Sequence, residues 1–400
     1  LNESAEENLA GIRVVKSFVN ENFERQKFDK ASEELREDFT AAERLMALNS
    51  PFMNFTIYVL FVFILYFGSY LIVSSQGTAF GVGQLSSLIT YGFMMLMALM
   101  MLSFVFAMII IAEEGARRIC EVLLATSTIN NPENPLTEVT DGSIDFENVG
   151  FSYSGPEGRE ALSGVDLHIN SGEVIGIIGG TGSAKSTLVQ LIPRLYDVTA
   201  GSVSVGGHNV KDYDIDTLRG AVAMVLQKNV LFSGTIKENL LWGNPDATDE
   251  EILEAARLAQ ADSFVHTFPD KYETHIEQGG NNVSGGQKQR LCIARALLRR
   301  PKVLILDDST SAVDTKTDSL IRSGLKDYLP DTTKIIIAQR TSSIEESDKI
   351  IVLDNGRINA IGTHEELLKD NPIYREVYFS QNKQSVDENQ SQEGEVTSHE

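Results

Sequence analysis

The most informative absence in this 400-residue chain is the lack of charge in one long stretch. No Asp, Glu, Lys or Arg occurs in the 68 residues between Arg44 and Glu113, and soluble domains rarely leave such a length uncharged. Two nearly continuous apolar segments lie within it, at 52–73 and 88–111. Each exceeds the roughly 20 helical residues that cross a hydrocarbon core about 30 Å thick. We predict two spanning helices in a lipid bilayer; the alternative is a buried hairpin in a large soluble core.

Cysteine and basic residues are also scarce. Cys120 and Cys292 are too few for a disulfide framework, which indicates reduced thiols that face the cytosol. Lys and Arg number 34 against 56 Asp and Glu, so the formal net charge is −22. Because a nucleic-acid surface needs clustered Lys and Arg, this balance argues against a nucleic-acid partner. The 42% hydrophobic content excludes a disordered chain.

Charged residues return on both sides of the apolar stretch. Residues 1–44 mix apolar and charged side chains with helical periodicity, which predicts a long amphipathic helix with a break near Asn20. Arg44 precedes the first span and Arg117 follows the second, so the positive-inside rule places both flanks in the cytoplasm and the loop 74–87 outside. No start Met or signal segment precedes the helix, and we expect the chain to begin inside a larger protein.

After Gly142 the pattern changes to short β-rich runs that alternate with helical ones. This alternation predicts an α/β domain with a mainly parallel sheet over 143–380. We expect 1–125 to form the membrane part, 126–142 a linker, and 381–400 a disordered acidic tail. The predicted strands are Val174–Ile178, Ala221–Leu226, Val303–Leu306, Ile335–Ala338 and Lys349–Leu353.

A glycine-rich loop follows the first of these strands and leads into a helix predicted to begin near Leu188. Its pattern is close to the P-loop G-x-x-x-x-G-K-[ST], in which backbone N–H groups and a helix N-terminus bind phosphate. Lys185 would contact the β- and γ-phosphates of a nucleotide, and Ser186 would hold Mg²⁺. Ala184 stands where the pattern has glycine; positive φ there would strain it by about 1 kcal/mol or more, and any other backbone angle would make the methyl harmless. The loop comprises Gly179, Gly180, Thr181, Gly182, Ser183, Ala184, Lys185, Ser186 and Thr187.

A second element of the same site is the apolar strand Val303–Leu306, which is followed directly by Asp307. In P-loop ATPases an aspartate in this place lies on the magnesium side of the nucleotide. A buried strand capped by an aspartate is the alternative. Together with the upstream loop, Asp307 predicts a site for ATP and Mg²⁺.

The segment 282–290 resembles the signature sequence of ATP-binding cassette (ABC) proteins. A serine and two glycines that open a helix form another anion cradle, and in that family the cradle closes on the γ-phosphate held by the other subunit. Tyr153 looks like the aromatic that stacks on adenine, Gln227 like the glutamine that senses Mg²⁺ and the membrane domain, and 311–314 like the loop that crosses to the opposite site. Taken singly, Tyr153 could be a core aromatic and Gln227 a loop amide. The signature residues are Ser284, Gly285, Gly286 and Gln287.

The membrane part resembles the same family. Residues 7–18 are similar to the cytoplasmic helix before the fifth span of ABC exporters. The resemblance implies a partial α-helical transmembrane domain with the fifth and sixth of six spans, fused to an α/β P-loop ATPase domain of the ABC type. On this interpretation the first four spans are absent and the chain is the C-terminal part of a half-transporter.

Two residues depart from the pattern of active family members. Asp308 stands where a glutamate orients the attacking water, and Gln339 stands where a histidine contacts the γ-phosphate. Aspartate is one methylene shorter, and a displacement of about 1 Å can cost about 100-fold in rate. Glutamine can donate a hydrogen bond but cannot carry the charge of a protonated histidine. The combination implies ATP binding with weak hydrolysis at this chain's own site.

The departures favour one assembly over others. A heterodimer with a second ABC half-transporter would pair this chain's signature with a competent partner site; the alternatives are a slow homodimer and a regulatory nucleotide sensor without transport turnover. No Asp, Glu, Lys, Arg or His lies within either span. This composition favours an apolar or amphipathic substrate over a charged one.

Overall fold

The chain folds into two units that divide between Thr126 and Ser127. The computed structural model describes residues 2–76, 78, 80–308 and 313–381. Of the predicted acidic tail, 382–400 lie outside the described residues. The predicted fold class is confirmed, because the first unit is helical and the second is a layered α/β domain.

The first unit begins with helices broken at two places. The predicted break near Asn20 is present, because Val19 adopts a left-handed φ of 52°. A second break falls at Gly11. The helices are α1 (Asn2–Ala10), α2 (Ile12–Ser17), α3 (Glu21–Ala47), α4 (Asn49–Ser74) and α5 (Val82–Leu123).

Helices α4 and α5 contain the two predicted spans, and both are long and apolar enough to cross a membrane. The loop between them is shorter than expected, because the backbone N–H of Gly81 donates to Gln84 Oε1 over 2.9 Å and α5 begins at the next residue. A Cβ added at Gly68 would lie 2.4 Å from Leu85 Cδ1, so glycine lets the two helices approach closely. The Thr56 hydroxyl donates to the backbone carbonyl of Phe52. This bond within the helix satisfies the hydroxyl in a membrane interior that contains no water.

The second unit is built on three sheets and a set of short helices. Its strands are β1 (Ile144–Phe151), β2 (Leu162–Ile169), β3 (Val174–Ile178), β4 (Ala200–Val205), β5 (His208–Asn209), β6 (Val222–Val225), β7 (Gly234–Thr235), β8 (His275–Ile276), β9 (Val303–Asp307), β10 (Thr333–Ile337), β11 (Lys349–Asp354) and β12 (Arg357–Gly362). Its helices are α6 (Lys185–Gln190), α7 (Ile215–Ala221), α8 (Ile236–Leu241), α9 (Asp249–Leu258), α10 (Asp262–Val265), α11 (Gly285–Leu298), α12 (Thr315–Tyr328) and α13 (His364–Asp370), and 372–381 are also helical.

The central sheet contains all five strands that the sequence predicts. Its six strands run in the order β12-β11-β3-β10-β9-β6, parallel except for the edge strand β12. Ile337 of β10 lies opposite both Ile177 and Asp307. Because parallel strands end at one edge, this register brings the residues that follow β3, β9, β10 and β6 together.

A four-stranded antiparallel sheet, in the order β2-β1-β4-β5, was not predicted from the sequence. Its apolar face packs on the central sheet around α6, in a core that includes Ile144, Phe146, Val203, Ile177 and Leu188. This core fixes α6, and with it the glycine-rich loop, against the end of β3. A second apolar cluster on the other face of the central sheet holds α9 and α11.

Candidate nucleotide-binding site

A cleft of about 980 Å³ opens where the parallel strands end. Most of the predicted site residues line it: Tyr153, Gly179, Gly180, Thr181, Gly182, Ala184, Lys185, Ser186, Thr187, Gln227, Asp307, Asp308 and Gln339. Ser183 belongs to the same loop, but its side chain is buried beneath it. Residues separated by up to 186 positions in sequence thus share one wall, as the strand register requires.

Lys185 lies across the mouth of the glycine-rich loop. Its Nζ donates to the carbonyls of Gly179 and Gly180 over 2.8 and 2.9 Å. Burial lowers the pKa of Lys185, while the negative charges of Asp307 and Asp308 act against that shift. The ammonium group therefore sits beside the cleft with its charge only partly compensated, which suits an anionic ligand.

Two glycines of the loop are required, for different reasons. A Cβ at Gly179 would lie 2.2 Å from the carbonyl oxygen of Leu353, so a side chain does not fit there. Gly182 has a φ of +81°, and a Cβ at Gly180 would meet nothing within 4 Å. Gly179 is therefore needed for close packing and Gly182 for a positive φ that glycine adopts without strain, whereas Gly180 leaves open space above the loop.

Ala184 adopts the left-handed conformation, with φ 72° and ψ 26°, as the residue that caps α6. The strained alternative is therefore the one observed. This cap also corrects the predicted start of the helix: α6 begins at Lys185 rather than near Leu188, because helical backbone follows the left-handed residue at once. The first helical turn then carries Lys185, Ser186 and Thr187 into the cleft.

Ala184→Gly is expected to raise the free energy of unfolding by about 1 kcal/mol, because glycine adopts positive φ without a Cβ clash. Trp242 is the single tryptophan of the chain and lies in the second unit, so its fluorescence reports the unfolding of that unit. As a control, Ala296→Gly within α11 should destabilise by about 1 kcal/mol or more. A less stable Ala184→Gly variant would contradict the strain.

Two adjacent carboxylates, those of Asp307 and Asp308, line the cleft beside the loop. Asp307 is buried and accepts a hydrogen bond from the Ser186 side chain. Asp308 Oδ2 lies 2.7 Å from Gln339 Nε2 and 3.5 Å from Gln227 Nε2. Burial raises the pKa of both aspartates above the ordinary value. The predicted catalytic residues Asp308 and Gln339 are therefore in direct contact with each other.

The donors at Ser186 and Asp307 fit Mg²⁺. A hydroxyl and a carboxylate are hard oxygen ligands, and Mg²⁺ in nucleotide sites is held by one or two carboxylates together with phosphates and waters. Among the described residues no group of three or more His, Cys, Asp or Glu could hold a metal by itself. The arrangement suits an ion that arrives with a phosphate rather than one held in a closed protein cage.

Asp307→Asn is expected to stabilise the fold near neutral pH while removing Mg²⁺-dependent ATP binding. Because burial raises the pKa of Asp307, its contribution to stability is full at low pH and is lost as the pH rises through the raised value. Asparagine has no charge to bury, so the stability difference from wild type should be small in acid and grow toward neutral pH. Trp242 fluorescence in denaturant at several pH values measures it; a wild type that is the more stable at neutral pH would contradict the assignment.

Tyr153 lines the cleft and belongs to an aromatic cluster. Its ring makes edge contacts with Phe151 and Tyr196 at centroid distances of 4.8 and 5.2 Å. Its hydroxyl lies 3.0 Å from Thr187 Oγ1 of the glycine-rich loop. The ring remains more than half exposed, at 57%, so it is not a core aromatic and is open to a planar ligand.

The signature residues lie elsewhere in this chain. Ser284 caps α11: its hydroxyl accepts from the N–H of Gln287, and the Gln287 side chain accepts from the N–H of Ser284. Among the described residues that line the cleft, none of Ser284, Gly285, Gly286 and Gln287 is present. Of the predicted crossing loop, Ser311 and Ala312 lie outside the described residues, and Asp314 caps α12 by accepting from Thr317 N.

Several lining residues were missed in the sequence. Arg159 and Glu160 follow the aromatic segment, and no spacing rule marks them. Asn355 and Gly356 form the turn between β11 and β12, and an Asn-Gly pair between two strands was a detectable hairpin signal. Val377, on the helical segment 372–381, closes one side of the cleft. Its position depends on tertiary packing and left no signal in the sequence.

Comparisons with known proteins agree with this geometry. The family described as the ABC transporter transmembrane region matches residues 1–100, and the ABC transporter family matches 162–311. An uncharacterized ABC transporter ATP-binding protein of Mycobacterium tuberculosis is 41% identical over 386 residues, which cover 95% of this chain and 65% of that protein. The protein YknU of Bacillus subtilis, an uncharacterized ABC transporter ATP-binding protein, is 38% identical over 94% of this chain and 64% of its own length.

A solved structure is similar over the same range. The structure of a bacterial Atm1-family ABC exporter with ATP bound superposes with a TM-score of 0.85 and 30% sequence identity, covering 94% of this chain and 66% of that one. The chain thus spans about 65% of the length of the curated relatives that it matches.

Proposed function

The chain belongs to the ABC transporter family, with a transmembrane part fused to a nucleotide-binding domain, and on that premise we propose that it is one half of an ATP-driven exporter. It is a membrane protein whose nucleotide-binding domain lies in the cytoplasm. One observation supports the proposal above all: the cleft holds a P-loop and a magnesium-side aspartate, while the signature of the same chain lies outside it. A second subunit would complete the site.

Each residue of the cleft has a defined task in this proposal. Lys185 neutralises charge on the β- and γ-phosphates, and Tyr153 stacks on the base. Ser186, Asp307 and Gln227 would hold Mg²⁺, and the bound ion would supply charge neutralisation at the phosphates. Asp308 accepts the proton of the attacking water or orients it.

Weak hydrolysis at this site follows from the two departures. The carboxylate of Asp308 accepts a hydrogen bond from Gln339, and its side chain is one methylene shorter than the glutamate of active members. Gln339 can donate a hydrogen bond, but unlike a protonated histidine it carries no positive charge. We therefore propose a heterodimer in which this chain's Ser284–Gln287 segment completes the competent site of a different half-transporter, and in which closure of the two domains moves the spans.

The substrate would be apolar or amphipathic. The side chains of the two predicted spans, 52–73 within α4 and 88–111 within α5, are mostly apolar and largely exposed in this chain, and neither span carries Asp, Glu, Lys, Arg or His. A charged cargo would need an ionisable or strongly polar partner within the membrane.

Vanadate trapping of labelled nucleotide in the co-purified pair tests the proposal. We expect label on the partner's P-loop, and we expect Ser284→Ala in this chain to reduce it while Asp308→Asn leaves it unchanged. A homodimer would lose trapping with either variant. Substrate-stimulated ATP hydrolysis by the pair separates an exporter from a nucleotide sensor, which would show none.

A further inference from the structure

We propose that Gln381 is a positioning residue that holds Gln339 in place for the γ-phosphate. Gln381 lies 42 residues beyond Gln339, at the end of the helical segment 372–381. It contacts the backbone on both sides of Arg340, directly after β10. The inference rests on the proposed function, since it assigns Gln381 to the nucleotide site described above.

The Gln381 side chain makes three hydrogen bonds, which together are called the Gln381 clasp. Gln381 Nε2 donates to the carbonyl oxygen of Gln339 over 2.7 Å. Gln381 Oε1 accepts from Thr341 N at 2.9 Å and from Thr341 Oγ1 at 3.2 Å. A primary amide is suited to this place because it offers a donor and an acceptor side by side, whereas a carboxylate could serve only the Thr341 side.

The clasp is carried by a helix that is itself firmly held. Tyr374 is fully buried, its N–H donates to Asn371 Oδ1 over 2.9 Å, and its hydroxyl lies 2.7 Å from His364 Nδ1. The Arg375 side chain donates to the carbonyl of Leu368. With its start fixed on α13, the segment presents Gln381 to the backbone after β10 at a defined place.

The same helix face also reaches the cleft. Val377 and Gln381 are four residues apart and so lie on one face. Val377 lines the nucleotide cleft. Gln381 holds the backbone carbonyl of Gln339, and the side chain of Gln339 donates a hydrogen bond to Asp308. One helix therefore borders the cleft and also fixes Gln339, the residue that we assign to the γ-phosphate.

Loss of the clasp should act on the γ-phosphate and not on the rest of the nucleotide. The P-loop, Tyr153 and Asp307 make no hydrogen bond to Gln381 among those described, and they would bind ADP as before. Gln339, freed at its carbonyl, would no longer be held beside Asp308, in the place where the family's histidine contacts the γ-phosphate. A merely structural role would weaken both nucleotides alike.

The test compares Gln381→Ala, Gln381→Glu and the control Ser380→Ala, whose side chain is exposed on the same helix. Calorimetric titration of the membrane-purified chain with MgATPγS and MgADP measures the two affinities. We expect Gln381→Ala to weaken the binding of MgATPγS about 5-fold, which corresponds to about one hydrogen bond, and to leave the binding of MgADP unchanged. Gln381→Glu should also weaken the binding of MgATPγS. Ser380→Ala should change the affinity for neither nucleotide.

Amide hydrogen exchange without nucleotide gives an independent measure. The Thr341 amide should exchange faster in Gln381→Ala and remain protected in Gln381→Glu, which keeps the acceptor. Equal weakening of both nucleotides, or unchanged exchange at Thr341, would overturn the inference. A wild-type chain that binds neither nucleotide would refute the proposed function itself, and the γ-phosphate role of Gln381 with it.

Discussion

The double substitution Asp308→Glu with Gln339→His is expected to raise ATP hydrolysis at this chain's own site about 100-fold, the factor that an error of about 1 Å in placement can cost. In the native chain, Asp308 Oδ2 lies 2.7 Å from Gln339 Nε2 and accepts a hydrogen bond from it. Glutamate would extend the carboxylate by one methylene toward the phosphate side of the cleft. Histidine would supply a donor that can carry charge.

The measurement must isolate this site from its partner's. Hydrolysis is therefore followed in the proposed heterodimer after the catalytic glutamate expected in the partner has been replaced by glutamine, so that only turnover at this chain's P-loop remains. Each single substitution should give a smaller gain than the double, because the two residues contact each other. A double variant no faster than wild type, or a chain that alone hydrolyses ATP as fast as the pair, would contradict weak hydrolysis at the native site.

Much of this site was readable in the sequence because parallel strands order it. Lys185 and Asp307 follow β-rich runs, and the carboxyl ends of parallel strands meet at one edge of a sheet. Two local motifs far apart in the chain could therefore be placed together before their distance was known. Gln227 and Gln339 were identified from the resemblance to ABC proteins, and the structure places each of them two residues beyond the end of a strand.

Other features depended on backbone angles or distant packing. The strain at Ala184 depends on its φ of 72°, and the residues next to it in the sequence do not predict that angle. The antiparallel sheet was missed because β1 is irregular, with register shifts between Phe146 and Phe151 that disrupt the alternation of buried and exposed side chains. The Gln381 clasp joins residues 42 positions apart through the backbone, and backbone contacts leave no trace in side-chain chemistry.

Lys185→Met is expected to weaken MgATP binding by about 100-fold or more. The ammonium group makes charge-assisted contacts that contribute roughly 1.5–3 kcal/mol each, and about 1.4 kcal/mol corresponds to a factor of ten. Methionine has a similar length and keeps the packing of the stem, but it has no charge for the phosphates. The same change also removes the donors that now hold the carbonyls of Gly179 and Gly180.

Lys228→Met is the matched control, because Lys228 is exposed, lies next to Gln227 and does not line the cleft. It removes the same charge from the same unit and should leave MgATP binding within about 2-fold, since exposed charges at a distance are screened by salt. Trp242 fluorescence separates a lost fold from a lost ligand: burial lowers the pKa of Lys185, so neutralising it should not reduce the stability of the unit by that route. Equal binding by the Lys185→Met and Lys228→Met variants would mean that phosphate is held by backbone N–H groups alone, and that this P-loop does not use its lysine.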